Sequence, residues 1–346
     1  MIVIAAFFIL LLLGIPISMV VLGASTLGVL LYSSTPLQIV VQQMFSGLNN
    51  YVLLAIPFFI ISGTIASRGS TAKYLTQVMT ILFGRLRGGS VIATIASCAF
   101  FAAISGSSFA TIVAIGSIML PALAEQKYPD RMSIGVITAG GSIGVLIPPS
   151  APMIALCVAL GSSVGRQFIA GVIPGLVLAL AWAVYTFAVC SVKKYGEPVR
   201  YTAAEARGIL VRAIPALLYP VIVLGSIYGG LATPTESAAI SIVYVVLIEL
   251  FVYRTSSVKE LLDSFTRSLT NSAGITFIIS ASQLLTWFIT TQRLPAIISG
   301  WIVETITSPM AFLLVIIGIF FVAGCFMELG ALMIILWPIL SPTLAS

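Results

Sequence analysis

The sequence predicts an all-α protein that crosses a membrane many times, and three observations carry that prediction. Hydrophobic residues make up 60% of the 346 positions and charged residues only 8%, more apolar surface than a soluble fold of this size can bury. Mean hydropathy is +1.17. No Lys, Arg, Asp or Glu occurs in residues 1–67, and charge-free stretches recur at 132–165, 167–192 and 213–235. Each is long enough for a spanning helix, which needs about 20 apolar residues. The N-terminus opens directly on an apolar run without a basic leader region, so it reads as a retained span rather than a cleaved signal.

Helices are expected near 1–12, 14–32 and 46–67, then across 132–162 and 167–192, and again near 213–230, 233–252 and 273–292. The formal net charge of +6 does not indicate nucleic acid, because the basic residues are scattered among short loops rather than gathered on one polar face. Arg68, Lys73, Arg85, Arg87, Lys127 and Arg131 fall in two loops. Lys193, Lys194, Arg200, Arg207 and Arg212 fall in a third, and Arg254, Lys259 and Arg267 in a fourth. Short-loop Lys and Arg resist translocation, so these loops are expected to be cytoplasmic and the N-terminus periplasmic.

An internal repeat organises the chain. Phe59-Ile60-Ile61-Ser62 recurs 218 residues later as Phe277-Ile278-Ile279-Ser280, and the same offset places Pro16 on Pro234. Phe100-Phe101 recurs as Phe320-Phe321 at an offset of 220. Residues 1–192 therefore read as a first repeat and 213–346 as a second, joined by a polar cytoplasmic linker at 193–212. For the basic loops to share one side, the repeats must be inverted, the pattern of many secondary transporters.

Two segments depart from simple spans. Residues 88–125 are nearly all apolar, have basic loops at both ends, and break at Ser105-Gly106-Ser107-Ser108. That describes a re-entrant helical hairpin. Residues 308–346 are its counterpart, entering from the opposite side and breaking at Gly324-Cys325-Phe326-Met327-Glu328-Leu329-Gly330. Non-helical backbone at membrane depth is tolerated only inside protein or facing a cavity, so broken tips mark candidate binding sites.

A third break follows the first hairpin, at Gly140-Gly141-Ser142-Ile143-Gly144-Val145-Leu146-Ile147-Pro148-Pro149-Ser150. Two prolines remove two amide donors and free carbonyls in the preceding turn, while the glycines permit close approach. Unwound carbonyls with Ser hydroxyls form an oxygen shell suited to a small hard cation such as sodium. The same residues also suit a plain proline kink packed against neighbouring helices.

Acidic residues within spans are functional candidates by default. Glu236 follows Pro234 at a helix start, where a carboxylate favours the exposed amides. Glu249 and Glu304 read as solvated at the membrane surface, and Glu328 lies at the second hairpin tip, open to ion or substrate contact. No histidine is present, which removes the commonest proton relay and favours sodium over proton coupling. Cys98, Cys157, Cys190 and Cys325 lie in apolar segments without CxxC spacing and read as small buried side chains. Amphipathic stretches at 67–87 and 256–269 read as helices lying on the membrane surface.

Taken in order, Ser105-Gly106-Ser107-Ser108, the 140–149 segment, Gly171-Val172-Ile173-Pro174-Gly175 and Ala232-Thr233-Pro234-Thr235-Glu236 resemble the large membrane subunit of tripartite ATP-independent periplasmic transporters over essentially the whole chain. The resemblance implies a bacterial inner-membrane carrier of the elevator type, with a scaffold and a transport domain holding both hairpins and the unwound helices. It implies sodium-coupled uptake of an organic acid, such as a C4-dicarboxylate or sialic acid. Its implied partners are a periplasmic substrate-binding protein and a small four-helix membrane subunit, and it implies no cofactor beyond coupling sodium ions. Carried over residue by residue, the first sodium site uses Ser105, Ser107 and the main-chain oxygens of Gly144, Ile147 and Pro149, with Ser108 and Ser150 near the substrate.

The second half departs from the family pattern, since Met327-Glu328-Leu329-Gly330 stands where an Asp and a Pro-containing turn are expected. A second sodium site is carried over only to Gly324 and Met327, with Glu328 near the substrate. By repeat logic the second half should continue past its hairpin as the first does, so the chain is expected to lack the helix that completes the second site. Other classes fare worse. No catalytic cluster points to an enzyme, and no phosphate loop points to an ATP-driven pump. A carrier that works without a binding protein is the nearest alternative, and an ion channel a more distant one.

Overall fold

The computed structural model describes residues 2–295, 297, 300, 308–325, 329, 330, 332, 333 and 336. Every regular element among them is helical: α1 (Ile2–Leu12), α2 (Ile17–Tyr32), α3 (Gln38–Leu48), a 3-10 turn (Tyr51–Leu54) leading into α4 (Ala55–Arg68), and α5 (Ser70–Phe83). There follow α6 (Gly89–Ser105), α7 (Ser108–Glu125), α8 (Asp130–Ser142) with a 3-10 turn (Ile143–Val145), α9 (Ala151–Leu160) and α10 (Val164–Lys193). The remainder comprises α11 (Ala203–Tyr228), α12 (Pro234–Leu247) with a π-helical end (Ile248–Tyr253), α13 (Val258–Thr291) and α14 (Pro309–Gly324).

Six of these stretches are long and apolar enough to cross a bilayer: Tyr51–Arg68, Ser108–Glu125, Val164–Lys193, Ala203–Tyr228, Pro234–Tyr253 and Val258–Thr291. Ile169, Ile173, Leu176, Val177, Leu180 and Val184 of α10 are all exposed. Such a continuous apolar face belongs in lipid, not water. The protein is an all-α polytopic membrane protein.

Contacts divide the chain into two compact units, one of Met1–Leu53, Ala155–Ser162 and Thr270–Ser346, the other of Leu54–Ile154 and Ser163–Leu269. Each takes segments from both sequence halves. In the first unit Val29, Leu284, Phe288 and Ile289 form a buried cluster, and the Ser280 hydroxyl donates to the Met44 carbonyl at 2.9 Å. In the second, α4 and α12 pack closely, the Ser62 hydroxyl is hydrogen-bonded to that of Tyr219, and Tyr219 is fully buried.

Several boundaries differ from the sequence reading, each for a local reason. The linker expected at 193–212 is shorter, because α10 runs to Lys193 and α11 already starts at Ala203. Thr202 and Glu205 form a capping box, Glu205 N–H donating to Thr202 Oγ1 at 3.3 Å and Thr202 N–H to Glu205 Oε2 at 2.8 Å, and two satisfied end groups outweigh the polar composition. The helix expected at 46–67 is interrupted at Asn49-Asn50, where Asn50 Oδ1 accepts from Val52 N–H at 3.0 Å and starts a new turn. The separate stretches at 256–269 and 273–292 are one helix, α13, launched by a Ser257–Glu260 capping box.

Two side-chain expectations are also corrected. Glu249 is not solvated: it is 0% exposed and its carboxylate is hydrogen-bonded to the start of α5. Cys98, Cys157 and Cys190 are buried, whereas Cys325 is exposed at the end of α14. Glu304, also expected at the surface, lies outside the described residues.

Candidate functional site

The first hairpin is built as its tip residues dictate. Helix α6 stops at Gly106, whose φ of +61° is left-handed and whose N–H donates to Ala102 O at 3.0 Å. Glycine adopts that conformation without a Cβ penalty. Ser107 then turns extended, with φ −140° and ψ 130°, and caps α7 by accepting from Ala110 N–H at 3.4 Å. Opposite, α8 tightens into its 3-10 turn, and residues 146–150 are non-helical before α9 begins at Ala151. Pro148 and Pro149 bring no amide donors, so neither can extend a helix through this point.

The two breaks meet. A Cβ on Gly106 would stand 2.5 Å from the Pro149 carbonyl oxygen, and the Gly106 carbonyl accepts from Ala151 N–H at 3.4 Å. A Cβ on Gly144 would stand 2.9 Å from both the Ser107 carbonyl oxygen and Thr111 Oγ1. From the other side, a Cβ on Gly63 of α4 would reach Ser105 Cα at 2.6 Å. Glycine at these positions lets three backbones close on the hairpin tip.

Oxygen atoms gather at the junction. Ser105 Oγ is 3.0 Å from Thr111 Oγ1 and 3.4 Å from the Ser107 carbonyl oxygen, and Thr111 Oγ1 donates to that carbonyl at 2.9 Å. Ser105, Thr111 and Ser150 are buried, and Ser150 Oγ has no hydrogen-bond partner among the described residues. All these oxygens belong to neutral hydroxyls or carbonyls, and no cluster of three His, Cys, Asp or Glu side chains exists among the described residues. Uncharged hard oxygens match a hard cation of low charge rather than a transition metal.

Of the residues expected at the first site, Ser105, Ser107, Gly144 and Pro149 are brought together. Ile147 is buried in the same broken segment, with its side chain against Gly175 of α10. Ser108 approaches through its backbone, its Cα standing 3.0 Å from a Cβ built on Gly144. Gly324 ends α14, with no atom of the described residues within 4 Å of where a Cβ on it would stand, while Met327 and Glu328 lie outside the described residues. Thr111 and Gly63 were missed. Thr111 falls one helical turn after Ser107, spacing that places its hydroxyl back over the tip; Gly63 carries no comparable local signal.

Glu236 is a cap: Thr233 N–H donates to Glu236 Oε2 at 2.8 Å, and Glu236 N–H to Thr233 Oγ1 at 3.3 Å.

This architecture has known relatives. A C4-dicarboxylate TRAP transporter large permease protein, DctM, of Pseudomonas aeruginosa is 39% identical over 93% of this chain and 75% of its own length. The protein of that name in Rhodobacter capsulatus is 36% identical, covering 96% of this chain and 79% of the relative. The isethionate TRAP transporter permease protein DctMQ of Oleidesulfovibrio alaskensis is also 36% identical, with 95% and 52% covered. Residues 4–346 match the family described as the DctM component of the tripartite ATP-independent periplasmic transporter, and the chain belongs to that family.

Proposed function

We propose that this permease subunit couples uptake of an organic acid to sodium, with the first cation bound where the α6–α7 tip meets the 144–150 break. The observation that carries the reading is the cluster of neutral oxygens on Ser105, Ser107, Thr111 and the unwound backbone, closed around by glycines. Electrostatics support it. The carbonyl ends of α6 and α8 converge there and favour a cation, while the amide ends of α7 and α9 start there and favour a carboxylate. Ser150, whose hydroxyl at the start of α9 has no partner among the described residues, and Ser108, at the start of α7, are the substrate-facing residues.

The substrate class follows the same logic. The C4-dicarboxylates and isethionate named for the relatives are all anions. The tripartite description of the family supports a periplasmic binding protein and a small membrane subunit as partners. Inverted repeats and an elevator movement complete the proposal. Their support is the offset of 218 that carries the Pro16 start of α2 onto the Pro234 start of α12, and the basic loops that would share the cytoplasmic side.

The test is uptake into proteoliposomes holding the assembled transporter. Ser105→Ala with Ser107→Ala should raise the sodium concentration for half-maximal uptake by about tenfold or more, equivalent to about 1.4 kcal/mol of lost cation binding. Unchanged sodium dependence in the double variant rejects the site. Uptake that proceeds without an added binding protein would move the chain to the binding-protein-independent kind of carrier.

A further inference from the structure

We propose that Glu249 is a positioning residue for the hairpin: its carboxylate is the cap that fixes where α5 begins and, through α5, where α6 begins. Glu249 lies in the π-helical end of α12 and is 0% exposed. Its Oε2 accepts from Ser70 N–H at 2.9 Å and Thr255 Oγ1 at 2.9 Å; its Oε1 accepts from Thr71 N–H at 3.0 Å and Thr71 Oγ1 at 2.7 Å. A helix start leaves amides without intrahelical partners. For α5 no residue at its own N-cap supplies an acceptor, since that position is Gly69. The acceptor comes instead from a residue 178 positions along the chain from Thr71.

Three features show that this position is built. The π-helical turn widens the helix by one residue and re-aims the side chains it carries. Gly69 leaves the space the carboxylate occupies, because a Cβ there would collide with Glu249 Oε1. Four donors meet a group with about four acceptor sites. The carboxylate is thus saturated by protein, with no lone pair left for a cation.

The carboxylate fastens this corner, and one turn along α5 the Tyr74 ring also meets the Tyr253 ring, with centroids 4.8 Å apart. Arg68 also reaches Asp263 at 3.3 Å, but both side chains are about half exposed, and such pairs contribute little. From this fixed start, α5 lays Val78 and Met79 against Ala93 of α6 and Ala213 of α11, with Tyr74, Phe83, Ala96 and Phe100 packed around them. Only residues 84–88 separate α5 from α6. They are held by Val199 N–H donating to Gly84 O at 2.8 Å and Gly89 N–H donating to Leu86 O at 2.9 Å. Release of the α5 start therefore passes directly into the hairpin. The fastening stands on its own geometry, and its consequence for transport rests on the hairpin being the binding element.

The experiment measures distances between spin labels in the assembled transporter, with the four native cysteines replaced by alanine and no sodium or substrate present. One pair joins Phe109, at the hairpin tip, to Val221 on α11; a control pair joins Val221 to Val243 on α12. All three positions are exposed. Glu249→Gln puts an amide donor against the Ser70 N–H, and Gly69→Ala displaces the carboxylate while every polar partner remains. Each should broaden the first distance distribution by about twofold and leave the control unchanged, local loosening rather than general unfolding. If Glu249→Gln does not fold, Gly69→Ala alone decides. An unchanged first pair, or equal broadening of both, overturns the proposal. Because no ion is present, failure of the sodium reading cannot be mistaken for failure here.

Discussion

Gly144 lies so close to Ser107 that a Cβ added to it would stand 2.9 Å from the Ser107 carbonyl oxygen. The hairpin tip and the broken helix are joined by the absence of a side chain. Gly144→Ala must push the tip away, and overpacking of this kind typically costs about 1–3 kcal/mol. The expected result is folded protein with a lowered thermal midpoint and a raised sodium requirement for uptake. Wild-type sodium dependence in the alanine variant would show that the tip does not form the site.

Thr111 is the hydroxyl that ties Ser105 to the Ser107 carbonyl. Thr111→Val keeps the shape but removes the donor, leaving buried oxygens unsatisfied at a cost of about 1–3 kcal/mol. Thr111→Ser keeps the hydroxyl and should retain most of the sodium affinity. Thermal denaturation in detergent and sodium titration of uptake separate the two variants. Equal behaviour of Val and Ser would remove Thr111 from the site.

Ser150 offers the opposite pattern. Its buried hydroxyl has no hydrogen-bond partner among the described residues, so Ser150→Ala should leave the thermal midpoint of the substrate-free protein unchanged or slightly higher. Uptake should nonetheless weaken, with a higher substrate concentration at half-maximal rate. Unaltered uptake in this variant would mean that the hydroxyl never meets the substrate.

Thr233 and Glu236 test whether a carboxylate within a span can be purely a cap. Thr233→Ala should cost about 1 kcal/mol of stability, and Glu236→Gln should cost less. Neither should move the sodium or substrate dependence of uptake measured per folded protein. A shifted sodium requirement in Glu236→Gln would give that carboxylate a role in coupling.

The parts of the site visible in the sequence were those that break a local rule. Gly106 beside three serines and the Pro148-Pro149 pair interrupt apolar runs that otherwise have no reason to stop, so both breaks could be placed to the residue. Thr111 was not visible, because a lone threonine in an apolar helix is ordinary. Its part depends on the helix starting at Ser108 and returning that side chain to the tip. Glu249 reads as solvated in the sequence for a different reason. Its donors lie on Ser70 and Thr71, and no pattern within one helix announces a partner so far along the chain. The start of α11 is legible in Thr202 and Glu205, whose capping box outweighs the basic, linker-like composition around them.

Helix α13 runs unbroken through 34 residues, a rod of about 51 Å at 1.5 Å per residue. The hydrocarbon layer is only about 30 Å thick. Lys259, Glu260, Asp263 and Arg267 all fall within its first ten residues, and no charged residue follows before its end. Charged and apolar stretches of this one helix therefore suit different depths of a bilayer. That makes it a depth gauge, and a thinner or thicker bilayer would act first on where along this helix the boundary falls.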